Sequence, residues 1–493
     1  MSQHLYKRRG FLLRTGAAMG ALLAASLHSS LVLAKATVDY LSRVKGLIID
    51  KAHKDYPLWR SSMSWYIFKP PRYPDTIVRA SSEEDAINTV RHARENGQKL
   101  VVRSTGHNPA RAILRDGGIL LDLSQLREVD VDVAAQTAWI QPGIKAEELL
   151  HITSHKGLAF PAAHTGIVGL GGYLLGGGLG WNMPEYGIAC RSILAAEVIT
   201  ADGKKVMASA SENQDLLWAL RGSGQGFFGA VVRYKLQLYP MHKHIQLNRY
   251  VIPLENLEQA MENFAVIGDA GDKRLETFIK VGRFYPSELP EAERDLVCTV
   301  GFFAFGDSAE ESERIMAPVT NSEIAKLSVA KKEGLLVTYE DLYRPPETDY
   351  SSPNRTVVEN IWTDDLGKTL LLLTEKMKSE PPSSPRSFLL GGWSFNSTMS
   401  DPTSCIQTAG RHYLSWYMIA EEEKHNAPNY KWMDESLELV LPYSKGHYLN
   451  EIDTLRYPEQ VKNCFSSEDW NKLADLRKKY DPDAVFHTFL GHT

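Results

Sequence analysis

Eight of the fifteen residues from Gly166 to Gly180 are glycine, and no other stretch of the 493-residue chain restricts the fold as strongly. A segment with so few Cβ atoms lets its backbone approach a flat, extended ligand and adopt positive φ where a turn needs it. Ordering it with no ligand would spend chain entropy for little contact. The string can be mistaken for the dinucleotide fingerprint of a Rossmann fold. That fingerprint, however, joins a first strand to a helix and is followed by a ribose-binding acid. Here no helical run and no such acid follow at the right spacing.

Two further segments carry small residues next to apolar runs. Arg103-Ser104-Thr105-Gly106-His107-Asn108 follows the apolar strand Lys99 to Val102. Successive N–H groups at such a junction form an anion-binding nest suited to a pyrophosphate. Asp215 to Gly229 reads as a short amphipathic helix that gives way to alternating glycines and a strand.

Around these segments the first half of the chain is mixed α and β. Ser81-Ser82-Glu83-Glu84 caps a helix whose apolar positions Ala86, Ile87, Val90 and Ala93 recur at helical spacing, and Gly97 ends it. Short strands are expected at Lys99 to Arg103, Gly118 to Leu123, Ala138 to Gln141 and Phe227 to Leu238, with a helix at Glu147 to His155. Ala201-Asp202-Gly203 joins Glu197 to Thr200 and Lys205 to Ala208 as a hairpin. From about residue 241 to 450 the glycines thin out and aromatics gather, among them Trp362, Trp393, Trp416, Tyr417, Tyr430 and Trp432. This reads as a second domain whose aromatics form core or line a pocket. A helix from Ser467 to Lys479 and the turn Tyr480-Asp481-Pro482-Asp483 close the chain.

With 43% hydrophobic residues, a chain this long forms two or three folded units. A net charge of −5 without a basic block argues against nucleic acid as a partner. The N-terminus differs: Lys7, Arg8 and Arg9 precede Phe11-Leu12-Leu13 and an apolar run to Ala34, and Ala34-Lys35-Ala36 supplies a small-x-small cleavage site. This is the layout of an export signal of the twin-arginine type over residues 1–36, with a retained membrane-anchoring helix as the alternative, and cleavage places the mature protein in the periplasm or outside the cell. No later stretch is long and apolar enough to span a bilayer, so no stable membrane insertion is expected once the signal is removed. Cys190, Cys298, Cys405 and Cys464 are too few and too scattered for a disulfide framework or a structural zinc site, although one disulfide remains open. No metal is expected.

Taken together, the motifs resemble those of FAD-linked oxidases of the vanillyl-alcohol oxidase/p-cresol methylhydroxylase (PCMH) superfamily, in particular its berberine-bridge-enzyme-like branch. The matching segments, in order, are Arg103 to His107, Phe160 to Gly180, Val198 to Gly203, Asp215 to Gly229, His447-Tyr448-Leu449-Asn450, and Tyr480 to Leu490. The resemblance implies an α+β fold. A two-subdomain FAD-binding domain of PCMH type would span residues 37–240. An α+β substrate-binding domain, an antiparallel sheet flanked by helices, would span 241–450. A C-terminal segment, 451–493, would return to the FAD domain.

The resemblance also implies roles. Arg103, Ser104, Thr105, Gly106, His107 and Asn108 would cradle the FAD pyrophosphate, and His107 would bond covalently to the flavin. Thr165, Gly166, Val168, Gly169, Gly171, Gly172, Gly176, Gly180, Val198 and Asn450 would complete the cofactor site. Thr165 stands where many relatives have a cysteine that forms a second bond, so His107 would form the only one. Val168 falls at the oxygen-gating position, where valine accompanies oxidase behaviour. Tyr173 replaces a frequent histidine and would stand near the flavin as a hydrogen-bonding or stacking wall.

The implied reaction is hydride transfer from an alcohol, sugar or amine to FAD, with oxygen as acceptor. A dehydrogenase using another acceptor and a catalytically silent flavin-binding protein are the alternatives. Such chemistry needs a base for the substrate's proton. A familiar family glutamate aligns with Asn396, which cannot be one. Strand-like alternation in His447 to Glu451 would aim Tyr448 and Asn450 at one face and Glu451 at the other. Tyr448 is then the first choice as base or base partner, with its phenol pKa lowered by the flavin and a nearby cation. Glu451 is the neighbouring candidate.

Overall fold

The computed structural model describes residues 39–343, 355–392, 401–406 and 410–490. The export signal, Trp393 and Asn396 lie outside these residues. Three sheets organise the chain. The first contains β1 (Leu47–Asp50), β2 (Thr76–Arg79), β3 (Leu100–Arg103) and β4 (Ile119–Asp122) in the order β1-β2-β4-β3. β2, β4 and β3 run parallel, and the helix Glu83–Glu95 carries the chain from β2 across to β3, with β4 inserted between them. The Ser82 hydroxyl accepts from the Asp85 N–H at the start of that helix, while Ala86, Val90 and Ala93 are fully buried. Gly97 adopts φ +63° just beyond its end, a left-handed conformation that favours glycine.

The second sheet is antiparallel and joins β5 (Val129–Asp132), β6 (Thr137–Ile140), β8 (Ile193–Ile199), β9 (Lys205–Ser209) and β10 (Ala230–Gln237) in the order β5-β6-β10-β8-β9. A two-residue ladder pairs β7 (Leu158–Ala159) with β11 (Tyr239–Pro240).

The third sheet has eight strands: β12 (His244–Ile252), β13 (Leu275–Tyr285), β14 (Asp295–Gly306), β15 (Ala330–Val337), β16 (Arg355–Thr363), β17 (Phe388–Gly392), β18 (His412–Ala420) and β19 (Ser444–Gly446). Every pairing in it is antiparallel, and the order is β15-β12-β14-β13-β17-β18-β16-β19. Helices Leu257–Ala270, Ala309–Thr320, Leu366–Ser379 and Asn426–Val440 share one apolar core with it. The other side, through Trp362, Tyr413 and Phe303, packs into the core of the glycine-bearing half. Trp362, Trp416 and Trp432 are therefore buried core.

After β19 the chain goes back to the first half. The helix Ser467–Tyr480 sends the Tyr480 hydroxyl to Asp215 at 2.8 Å. The Asp481 carboxylate then accepts from the Val485 and Phe486 N–H groups. Phe486 bridges parallel to Leu100, with Leu100 N–H donating to Val485 and His487 N–H to Leu100. The tail thus completes the edge of β3, the strand that leads into the loop at Ser104.

The glycine segment departs from the sequence reading. A short helix, Leu170–Leu175, lies inside the glycine segment where no helical run was expected. Leu170 and Leu174 bury their side chains on its inner side, so burial overrides the poor helix propensity of Gly171 and Gly172. The helix is far shorter than that of a dinucleotide fingerprint, and it follows no sheet strand directly. All four cysteines are buried free thiols. Among the described residues no helix is long and apolar enough to cross a membrane.

Candidate functional site

The loop after β3 is held from inside. The Arg103 guanidinium donates to Asp122 at 2.5 Å and to the carbonyls of Met63, Ser104 and Thr105. Arg103 belongs to the loop expected to cradle the pyrophosphate. Its side chain is committed to shaping that loop, because its donors meet buried acceptors. Ser104 donates to the Pro142 carbonyl at 2.6 Å, and the Thr105 hydroxyl accepts from the Gly169 N–H at 3.0 Å. Those two bonds fasten the loop to the start of the glycine segment. Gly106 has φ +76°, and a Cβ there would lie 2.0 Å from the Met63 carbonyl oxygen, so only glycine fits.

His107 is half-buried and packs against two aromatic rings, stacked on Trp65 with centroids 5.6 Å apart and edge-on to Tyr66 at 5.8 Å. Burial holds its pKa down to about 4, so the imidazole is neutral at physiological pH. Its Nε2, the Asn108 Oδ1 and the Thr165 Oγ1 are buried with no hydrogen-bond partner among the described residues. Buried polar atoms are nearly always satisfied. Three unsatisfied ones on the loop and segment that share the Thr105–Gly169 bond suit a polar, extended cofactor.

The glycines divide into two kinds. At Gly169, Gly171, Gly176 and Gly180 a Cβ would strike protein: the Thr105 side chain at 2.3 Å, Pro142 at 2.7 Å, the Asn450 side chain at 2.0 Å and the Ala162 carbonyl at 2.4 Å respectively. Gly166 likewise abuts Glu147 at 2.7 Å. Gly172 is exposed and meets nothing within 4 Å, the one place in the short helix where a planar ligand has open backbone to lie on. Val168 is half-buried, and its carbonyl accepts from Ala146. Val198 lies in the middle of β8, fully buried, so its side chain serves the core and only its main chain is open to a cofactor role.

The 447–451 segment does not alternate as a strand. It turns into a 3-10 helix at Leu449–Glu451, which brings its polar side chains into one cluster instead of opposite faces. The Tyr448 hydroxyl accepts from the N–H groups of Gly178 (3.1 Å) and Leu179 (3.2 Å) and from the Asn450 amide (2.9 Å). Asn450 also donates to the Tyr173 carbonyl, and its own carbonyl accepts from the Asn108 amide at 3.1 Å. Burial pushes the Tyr448 phenol up in pKa, and the three donors offset this only in part. Desolvation thus works against the lowering expected from sequence.

Glu451 is a different kind of group. Its buried carboxylate takes a hydrogen bond from the Tyr413 hydroxyl, and the Tyr413 ring meets that of Tyr448 edge-on at 5.9 Å. Burial raises its pKa, opposed by the hydroxyls of Tyr413 and Tyr417 and by His164. His164 in turn lies 3.9 Å from the Glu276 carboxylate and edge-on to Trp181. Tyr173 stands in the same region, but its hydroxyl donates to the Pro161 carbonyl at 2.7 Å and is committed there.

Sequence reasoning missed Trp65, Tyr66, Tyr413, His164 and Glu276. The adjacent Trp65-Tyr66 pair was the one local signal; Glu276 and Tyr413 reach the site through sheet register, and His164 from the loop that follows β7. No group of three His, Cys, Asp or Glu side chains forms a metal site among the described residues.

Comparison with known proteins accords with this geometry. A family model described as a FAD binding domain matches residues 74–209. The chain is 26% identical to the FAD-linked oxidoreductase nodO of Hypoxylon pulicicidum, over 84% of this chain and 90% of that protein. A 168-residue stretch, 34% of this chain and 36% of its match, is 38% identical to (R)-6-hydroxynicotine oxidase of Paenarthrobacter nicotinovorans. Among solved structures, 6-hydroxy-D-nicotine oxidase of Arthrobacter nicotinovorans superposes with a TM-score of 0.77 at 20% identity, covering 91% of this chain and 98% of that one. A chitooligosaccharide oxidase gives 0.78 at 17% identity, covering 93% and 99%. At those identities the structural likeness speaks for the fold, which is the PCMH-type FAD-binding architecture with its α+β partner domain.

Proposed function

We propose that this chain, a FAD-linked oxidoreductase of the vanillyl-alcohol oxidase/PCMH superfamily close to its berberine-bridge-enzyme-like branch, is an exported oxidase that carries FAD bonded through His107 alone. The observation that carries the reading is His107 itself, neutral, walled by Trp65 and Tyr66, with a buried and unpartnered Nε2. A neutral imidazole is the nucleophilic form needed to form a bond to the flavin. Thr165 has no thiol, so a second bond cannot form there. Arg8-Arg9 and the apolar run after them support export of an already folded holoprotein, for which an attached cofactor is an advantage.

Bound FAD supplies the two-electron acceptor. The chain's part is placement and proton transfer. The exposed backbone at Gly172 and the loop 104–108 support the cofactor. Glu451, poised by Tyr413 and Tyr417, takes the proton released from the substrate's hydroxyl or amine; its raised pKa makes it a better base than a solvated carboxylate. Tyr448 holds the Gly178–Leu179 turn and Asn450 in place. The substrate is a small organic molecule such as an alcohol, sugar or amine, and Val168 supports oxygen as the acceptor. The same fold in a Phl p 4 variant described as a glucose dehydrogenase keeps transfer to another acceptor as the second reading.

Acid precipitation tests the attachment. The wild-type pellet is expected to stay yellow, and His107→Ala to release its flavin to the supernatant; a colourless wild-type pellet refutes the bond. Peroxide release under air during a screen of alcohols, sugars and amines separates oxidase from dehydrogenase.

A further inference from the structure

Strand β16 lies beside the Tyr448 segment and grips it with one side chain. Asn360 is fully buried. Its Oδ1 accepts from the Tyr448 N–H at 2.6 Å, and its Nδ2 donates to the Tyr448 carbonyl at 3.1 Å. The Asn360 main-chain carbonyl meets the His447 imidazole Nδ1 at 2.7 Å. One amide thus pairs both main-chain groups of one residue, as a neighbouring strand would, where the chain has left β19 and not yet entered the Leu449–Glu451 turn. No other side-chain type of this size presents one acceptor and one donor in a fixed plane.

The bonds continue beyond Tyr448. Its hydroxyl accepts from Gly178, Leu179 and the Asn450 amide, and the Asn450 carbonyl accepts from Asn108, the neighbour of His107. A continuous path therefore runs from the eight-stranded sheet through Asn360, Tyr448 and Asn450 to the histidine-bearing loop. Its members belong to three separate parts of the chain, so the loop's position is set from the far domain as well as from β3.

We propose that Asn360 is a positioning residue that sets the flavin site from the substrate-side sheet, acting through Tyr448 and Asn450 on the loop of His107 and so on the attachment and the redox balance of the flavin. The proposal rests on the reading that this loop holds FAD. Asparagine is required because both halves of its amide are used. An ionised aspartate keeps the acceptor for the Tyr448 N–H, loses the donor to its carbonyl, and adds a buried charge.

The test uses full-length holoprotein carrying Asn360→Asp or Tyr448→Phe, with three readouts: flavin retained after acid precipitation, the flavin midpoint potential from dye-coupled reduction, and thermal unfolding. Asn360→Asp is expected to lower the attached fraction at least threefold and to shift the oxidised-to-reduced balance about tenfold, near 30 mV for a two-electron couple. On acidification the introduced carboxyl gains a proton and can donate again, so the potential should move back toward wild type; a general loss of packing has no reason to recover in that way. Tyr448→Phe leaves the Asn360 grip intact and removes the hydroxyl, and should shift the potential in the same direction. Wild-type potential and attachment in Asn360→Asp at every pH would overturn the proposal. If that variant does not fold, an unchanged potential in Tyr448→Phe overturns it and a shifted one sustains it. Release of flavin by the wild-type protein would sink the attachment reading alone, leaving the potentials to decide the role of Asn360.

Discussion

Around the glycine segment, chain meets chain too closely to leave room for a Cβ: one added at Gly176 would lie 2.0 Å from the Asn450 side chain, and one at Gly180 2.4 Å from the Ala162 carbonyl. In the eight-stranded sheet the opposite holds, and large side chains such as Trp362, Trp416, Phe302 and Phe388 fill the interior with almost no exposure. The first region draws its specificity from main-chain positions and the second from side-chain volume. A region that must admit a flat cofactor keeps its own backbone at the surface of the site. A region that supports it can be built as ordinary core.

The sharpest break in that comparison is Gly180→Ala. The new methyl would meet three oxygens, those of Ala162, Pro161 and the Tyr173 hydroxyl, and two of them are main chain and cannot swing aside. A loss of about 3 kcal/mol is expected, read as a lower urea midpoint and poor soluble yield. Glu451→Gln acts on function and leaves the scaffold: flavin spectrum and stability should persist while the rate of flavin reduction by a substrate found in the screen falls about 100-fold or more. In wild type that rate should decline with acidity at a midpoint above the ordinary glutamate value, because burial raises the pKa of Glu451 and protonation removes the base.

Gly172→Ala probes the open glycine. With nothing within 4 Å and a helical position, alanine should raise stability by up to about 1 kcal/mol, yet weaken flavin uptake by His107→Ala apoprotein roughly tenfold in a titration with FAD. Equal weakening by Gly172→Ala and an exposed-loop control would erase the distinction between the two kinds of glycine.

The smallest effect is expected at the seam between the regions. His242 bonds Glu185, beside the glycine segment, at 3.0 Å and lies 3.5 Å from Asp307 at the end of β14. Burial opposes its charge, but the two carboxylates outweigh burial and its pKa rises. The raised pKa adds stability that is complete below the ordinary imidazole value of about 6.5 and is lost as pH climbs through the folded value. Melting curves of wild type should therefore fall relative to His242→Gln above about pH 6.5, by roughly 1–2 °C. Parallel curves would remove His242 as a pH-dependent tie.

Much of the scaffold was legible locally. Ser82 caps its helix, Gly97 takes the left-handed turn, and Asp202-Gly203 closes its hairpin, because each depends on the φ, ψ and hydrogen-bonding capacity of a few adjacent residues. The short helix at Leu170 was hidden by its glycines, since the burial that stabilises it comes from distant chain. The alternation read into His447 to Glu451 failed because the segment turns after β19, and a period of two says nothing once pairing stops. The position of Arg103 in its loop said nothing of its guanidinium, which Asp122 from the parallel neighbour β4 claims.

What residue identity determined without help is therefore the glycine segment, the histidine in its loop and the absence of a cysteine at Thr165, all statements about what an atom set at one place can or cannot do. Tertiary structure alone decided which glycines face protein and which lies open, that burial would push up the pKa of both Tyr448 and Glu451, and that Asn360 would hold Tyr448 by both main-chain groups. Those outcomes depend on sheet register and burial, which bring together residues far apart in the chain and alter the dielectric around them.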